Sequence, residues 1–428
     1  MMKKLFLPLL IMFMGNPLFT FGQEWSKKFV KQDVLYMKGD YKLARELNHN
    51  LKIKIKTTLG PQNPYTALAQ FKDAKYHAGA GYIQAYRRSV NSGLSIARGA
   101  TGRKNINYAR IALEGIQIMV KYGDYARAET LLNEVSDILV DYKNKDPKLE
   151  HKKNYLLAQV YAAQEHRTKA LDMLIKLRDY AAELTLETEV KDNFTSGNKD
   201  KTRTLSAFEL KQNKRTYAHY LTLIGQLYAH SHESGKADSA FNVARVWINN
   251  NLPANDYSQI YYQFQQIKIA EEKDPNEKNI TQLANLVKRS EKTLNRNQEL
   301  VLDMKYTLLN WYQKNNNTAK YNGLKTHLTN INEKYYDNKN IHLDLLALTV
   351  LGEESEEKSD QDKINEAKKM LKNSAALPDV HESRIKVLLF LLEKSEEAGQ
   401  ETESEAYFKQ IQDQKTELYG EGSPVLSS

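Results

Sequence analysis

From Tyr125 onward the apolar positions Ala128, Leu131, Leu132, Val135, Ile138, Leu139 and Tyr142 recur at intervals of three and four residues. That period places them in one stripe along a helix. Upstream, Tyr108, Ala112, Ile116, Met119 and Val120 make the matching stripe of an earlier helix. Gly123 falls between the two, where the chain must reverse through a backbone conformation that glycine adopts at little cost. The pattern predicts an antiparallel helical hairpin. Ala128 has a purpose in it, because two helices approach closely only where one presents little side chain.

The same marks return along the chain. Gly39-Asp40-Tyr41-x-x-Ala44 recurs as Gly123-Asp124-Tyr125-x-x-Ala128, with degenerate versions at residues 165–170, 234–240, 317–319 and 399–406. Marker alanines at 44, 128 and 170 imply a unit of about 42 residues, with a missing mark expected near residue 86 and the next marker at Ala240. An interior proline costs a helix ~3 kcal/mol, and Pro61, Pro64, Pro147, Pro253, Pro275, Pro378 and Pro424 all fall between the stripes. No alternating run of strand length bounded by turn residues is found, so the expected fold class is all-α.

Gly-Asp-Tyr-x-x-Ala opening a second helix, Tyr161 and Tyr228 near the ends of first helices, and proline after second helices resemble tetratricopeptide repeats. The long unit and the linker Leu59-Gly60-Pro61-Gln62-Asn63-Pro64 resemble the ~42-residue variety found in kinesin light chains. The likeness covers about residues 29–428. It is clearest over 29–178, irregular over 257–340, and passes into acidic repeats over 341–428. It implies a right-handed α-α superhelix of eight or nine hairpins, whose concave groove binds a peptide or a partner domain. Stacked repeats bury a core only between neighbours, so an elongated solenoid over residues 23–428 is expected. Between Ala170 and Ala240 the spacing grows to 70, and the surplus contains the polar run 191–204, read as a loop inserted in the solenoid.

The first 22 residues read as a signal peptide. Lys3 and Lys4 precede an apolar run from Leu5 to Phe13, and Thr20-Phe21-Gly22 ends in a small residue. Gly15-Asn16-Pro17 interrupts the run before the ~20 residues a span needs. A periplasmic or secreted chain starting at Gln23, with no transmembrane span after cleavage, is the expectation. The signal and this glutamine resemble Bacteroidetes exported proteins.

Charge is uneven. Residues 341–428 carry a net −9 and residues 23–340 a net +16. Arg87, Arg88, Arg98, Arg103, Lys104 and Arg110 form the densest basic segment, a candidate partner-binding patch for an acidic peptide or protein, an anionic glycan or a phosphate-bearing envelope component. Export argues against nucleic acid as the partner.

The absence of cysteine excludes thiol chemistry, disulfides and iron-sulfur clusters. In His230-Ser231-His232-Glu233 only two imidazoles cluster, and the acidic run 353–362 lacks the glycine turn of an EF-hand loop. No catalytic motif stands out, so no catalytic, metal or cofactor site is expected. The expected function is that of a non-catalytic scaffold in an envelope assembly. The alternative is a periplasmic glycan-binding protein or hydrolase on an α/α scaffold, which would need two carboxylates ~5 to 10 Å apart in a cleft. At the C-terminus, Leu418-Tyr419-Gly420 through Pro424 repeats the glycine-to-proline spacing of the linker at residue 59. The last hairpin is therefore expected either to cap the solenoid or to dock a partner.

Overall fold

The computed structural model describes residues 18–142, 146–192, 201–336, 359–372 and 380–427. Seventeen α-helices lie among the described residues. They pair as α1 (Leu18–Met37) with α2 (Tyr41–Leu59), α3 (Pro64–Gly79) with α4 (Ile83–Thr101), α5 (Ile106–Lys121) with α6 (Tyr125–Asp141), and α7 (Pro147–Ala163) with α8 (Arg167–Leu184). Then follow α9 (Ala207–His230) with α10 (Ser234–Asn251), α11 (Tyr257–Lys273) with α12 (Glu277–Thr293), and α13 (Glu299–Lys314) with α14 (Thr318–Tyr336). Among the described residues α15 (Asp360–Lys372) stands without a paired helix before the final pair, α16 (Glu382–Glu397) with α17 (Glu401–Tyr419). Eight pairs and one further helix agree with the expected eight or nine hairpins.

In seven of the eight described pairs the turn passes through a left-handed residue: Gly39, Gly81, Gly123, Glu165, His232, Asn316 and Gly399. The first four stand 42 residues apart, so the repeat persists through residue 81, where the sequence mark is lost. Glycine carries no Cβ penalty there; Glu165, His232 and Asn316 accept ~1–2 kcal/mol each. The fourth residue of the second helix is the buried marker: Ala44, Ala128, Ala170 and Ala237. The expected marker Ala240 is partly exposed, so the register of α10 is three residues earlier than the sequence suggested. Where a mark was expected near residue 86, Tyr86 is buried instead, and its ring meets Tyr122 at 5.7 Å.

The run 191–204 departs from the all-helical expectation. β1 (Glu189–Asp192) pairs antiparallel with β2 (Lys201–Thr204), Glu189 opposite Thr204 and Asp192 opposite Lys201. The strand sequences Glu-Val-Lys-Asp and Lys-Thr-Arg-Thr hold a single apolar residue, so no period-two pattern announces them. The rest of that run lies outside the described residues.

The solenoid is not an open, elongated one. The turn between α1 and α2 reaches the start of α13: Asn297 Nδ2 donates to the Gly39 carbonyl at 2.8 Å, and the Glu299 amide donates to the Tyr41 hydroxyl at 3.0 Å. Tyr36, Tyr41 and Ala44 share a core with residues of α11 to α14. A second closure joins the C-terminus to the early repeats. Tyr419 stacks on Tyr125 at 5.8 Å, Gln164 Nε2 donates to the Tyr419 carbonyl at 2.6 Å, and Ser423 Oγ donates to the Gln164 carbonyl at 2.9 Å. The repeated linker thus folds back on its own chain. Gly60 and Gly420 share the same backbone conformation, φ 89° and 87°, and the residues after Gly420 meet the turn that follows α7, whereas the residues after Gly60 open α3.

α1 runs unbroken through the expected cleavage point after Gly22. Trp25 is buried with Phe29, Leu51, Ile55, Tyr65 and Ala69, so a chain beginning at Gln23 retains that whole cluster. Residues 1–17 of the signal segment lie outside the described residues. No described helix is long and apolar enough to cross a membrane.

Candidate ligand-binding interior

The first helices of the pairs turn polar side chains toward a common interior. Asp33 of α1 accepts from Lys72 Nζ at 2.6 Å, Lys75 Nζ at 3.0 Å and the Tyr76 hydroxyl at 3.1 Å. Burial pushes the Asp33 carboxyl up, but the two ammonium groups outweigh it and hold it well below the carboxylate range. Glu114 of α5 accepts from Lys152 of α7 at 2.6 Å. Lys72 also feels the charge of Glu209 on α9, three pairs away.

Where the ends meet, Tyr36 and Tyr122 lie 2.6 Å apart through their hydroxyls, and each bonds Glu299, at 2.9 Å and 2.6 Å. Lys121 pairs with the same carboxylate. A cavity of about 330 Å³ opens beside this knot, lined by Lys121, Glu299, Asp303, Tyr306 and Glu382 among others. Asp303 keeps water-exposed surface on the lining of this cavity; crowding by the surrounding protein still removes part of its hydration, and with the charge of Glu299 this pushes its carboxyl up to about 7. A raised folded-state value means that ionising Asp303 opposes folding, a cost that grows as pH rises from ~4 and is complete above ~7. Asp303→Asn should therefore raise the melting temperature most at pH 8, with the gain shrinking toward zero near pH 4. Thermal melts across that range check it; a gain independent of pH would contradict the placement.

The middle of the interior is aromatic. The Tyr155 hydroxyl lies 2.7 Å from His219 Nδ1, the His219 ring is 5.1 Å from Tyr261, and Tyr261 lies nearly parallel to Tyr257 at 6.5 Å. Burial lowers His219 to about 4, so the imidazole is neutral at physiological pH. Gln212, His219 and Gln226 stand seven residues apart along α9, on one face of the helix. Gln226 Nε2 donates to Gln265 Oε1 at 2.7 Å. Gln226 Oε1 and Gln212 Nε2 are buried without a hydrogen-bond partner among the described residues. A buried amide left unsatisfied costs ~1–3 kcal/mol, which a ligand able to pair with it would recover.

A buried ion pair holds these helices in register. Asp256 caps α11 by accepting from the Ser258 amide at 3.1 Å, and it binds Arg215 of α9 through both oxygens at 3.0 and 2.9 Å. Lys211 adds a contact at 3.1 Å.

The candidate basic residues are spread along α4, the turn after it and the start of α5. Arg87 donates to the Val380 carbonyl at 2.7 Å, across to the C-terminal pair. Arg103 pairs with Glu134 at 2.8 Å, Arg98 approaches the same carboxylate at 3.5 Å, and Arg110 pairs with Asp146 at 2.9 Å. Arg88 and Lys104 are exposed. The structure therefore does not gather the six into one unneutralised patch. His230 Nε2 lies 3.4 Å from Glu272, and no group of three metal-ligand residues occurs among the described residues. Most of the acidic run 353–362 lies outside the described residues.

The interior track went unread in the sequence. Its signal is the repeat itself: His219, Tyr261 and Asp303 stand 42 residues apart, as do Lys72 and Glu114, and Asp33 and Lys75.

The paired helices, the left-handed turns and the 42-residue rhythm define a tetratricopeptide-like repeat fold. Among solved structures the chain is similar to a Rap protein crystallised in complex with Competence and Sporulation Factor, with a TM-score of 0.53 and 11% identity over 93% of this chain and 99% of that one. At this identity the likeness concerns the fold. No family model matches the sequence, and no curated protein matches it.

Proposed function

We propose that the protein is an exported, non-catalytic helical-repeat scaffold that takes a peptide, or an extended segment of a protein partner, into its interior. The observation that carries this reading is the track on α7, α9 and α11: neutral aromatic rings and, on the same face of α9 as His219, two buried amide atoms that lack partners among the described residues. Aromatic rings contribute apolar area and polar handles together, while glutamine side chains offer both a donor and an acceptor to a peptide backbone. The Rap protein of similar fold was crystallised with Competence and Sporulation Factor, which accords with uptake by such a scaffold. The signal-like first 22 residues support export, and within the basic segment the exposed Arg88 and Lys104 offer cations to an acidic partner.

The test is a random peptide library selected on residues 23–428. Peptides enriched on the parent chain should bind a His219→Ala/Tyr261→Ala variant at least ~10-fold more weakly, about 1.4 kcal/mol, while its helical signal persists. Equal binding would remove the track from the account. For export, protein recovered from the source cells should begin at Gln23; an intact Met1 would contradict it.

A further inference from the structure

Outside the interior, α10 and α11 barely touch, whereas the other described junctions between consecutive complete pairs are closely packed. The separation leaves a groove of about 1140 Å³ between α10 and α12, with α11 as its floor. Phe241, Ile267 and Leu286 give it an apolar base, and Arg167, Lys273 and Arg289 stand on its rim. Of the acids there, Glu272 lies 3.4 Å from His230, and Asp238 is exposed. A helix about 10 Å wide and two turns long displaces roughly 850 Å³, so the groove has the size of a helix segment.

The chain carries a surface with the opposite chemistry. On α17, Glu401, Glu405, Phe408 and Gln412 follow one another at helical spacing and are exposed or partly exposed, and the Phe408 ring is 55% open to solvent. This is an aromatic anchor with two acids on its N-terminal side, in the acidic quarter of the chain. The groove is an apolar base flanked by cations in the basic three-quarters.

We propose that α17 of one copy docks in the α10–α12 groove of a second copy, making a head-to-tail contact. The inference is independent of interior binding. Phe408 packs on Phe241, Ile267 and Leu286, and Glu401 and Glu405 face Lys273 and Arg289. Because the two surfaces differ, the contact is heterologous, and each added copy leaves one groove and one helix face open for the next.

Light scattering on residues 23–428 tests it. At ~50 mM salt the average mass should rise with concentration beyond a dimer up to about 1 mM protein, and ~0.5 M salt should reverse the growth. Phe408→Ser and Lys273→Glu/Arg289→Glu chains should each stay monomeric with unchanged helical signal, since all three side chains are exposed. Mixed in equal amounts, they should form a 1:1 dimer and stop there, because each supplies the surface the other lacks. Lys273→Glu alone, should the double variant fail to fold, serves the same purpose. A parent chain monomeric throughout, a single-defect chain that still assembles, or a mixture that stays monomeric would each overturn the proposal.

Discussion

A Gly39→Ala chain should melt well below the parent and lose hydrogen-exchange protection at the start of α13. Gly39 sits at φ +80°, where a Cβ costs ~1–2 kcal/mol. A second cost comes from its neighbours. The added carbon would lie 3.1 Å from both the Cα and the amide nitrogen of Gln298. Those are backbone atoms held by the Asn297 bond to the Gly39 carbonyl and by the Tyr41 bond to the Glu299 amide, so they cannot swing aside. Relief requires the α1–α2 turn to part from α13, for a total of about 2–4 kcal/mol. Gly399→Ala is the control: its φ is +70°, yet nothing lies within 4 Å of the new carbon. It should lose only the backbone part. Equal losses in the two variants, measured by denaturant unfolding, would mean that the closure contributes nothing.

Asp256→Ala should cost about 3–5 kcal/mol, because it strands Arg215 as an uncompensated charge with little access to water. The Asp256 side chain is itself fully inaccessible. Burial pushes its carboxyl up, but the bonds and charge of Arg215 outweigh that and hold it below the ordinary value. A depressed folded-state value stabilises the fold above the ordinary carboxylate range and is lost as pH falls through the folded value. The difference in stability between parent and Asp256→Ala should therefore narrow on acidification below ~4. Arg215 lies on α9 between Gln212 and His219, and Asp256 caps the helix carrying Tyr257 and Tyr261. Peptide uptake should then fall even at temperatures where the variant remains folded. A pH-independent difference would contradict the ion pair.

Much of the repeat architecture was legible because it rests on local marks. The apolar stripes of α5 and α6, the turns at Gly39 and Gly123, and the 42-residue unit follow from periodicity and from the conformational preference of glycine. Degenerate turns were harder to place, since Glu165, His232 and Asn316 adopt left-handed backbone without announcing it. That is why α10 was set three residues late. Closure was not legible at all. It depends on contacts more than 250 residues apart, such as Asn297 with Gly39 and Gln164 with Tyr419, and on curvature that accumulates over many repeats. The basic segment drew attention through charge density, whereas Glu134 and Asp146, which pair with three of its arginines, come from the following pairs and are invisible to a count along the chain. The interior track had the converse problem. Its members come from separate helices, and only the repeat register aligns His219, Tyr261 and Asp303.

Site-specific photo-crosslinking tests the central claim, that the ligand lies inside the closed solenoid against α9 and α11. A benzophenone side chain placed at Gln265, beside Gln226 on the track, should capture the library-selected peptide. The same group at Val246, on the exposed side of α10, should capture none. Capture from position 246 alone, with position 265 silent, would contradict the account.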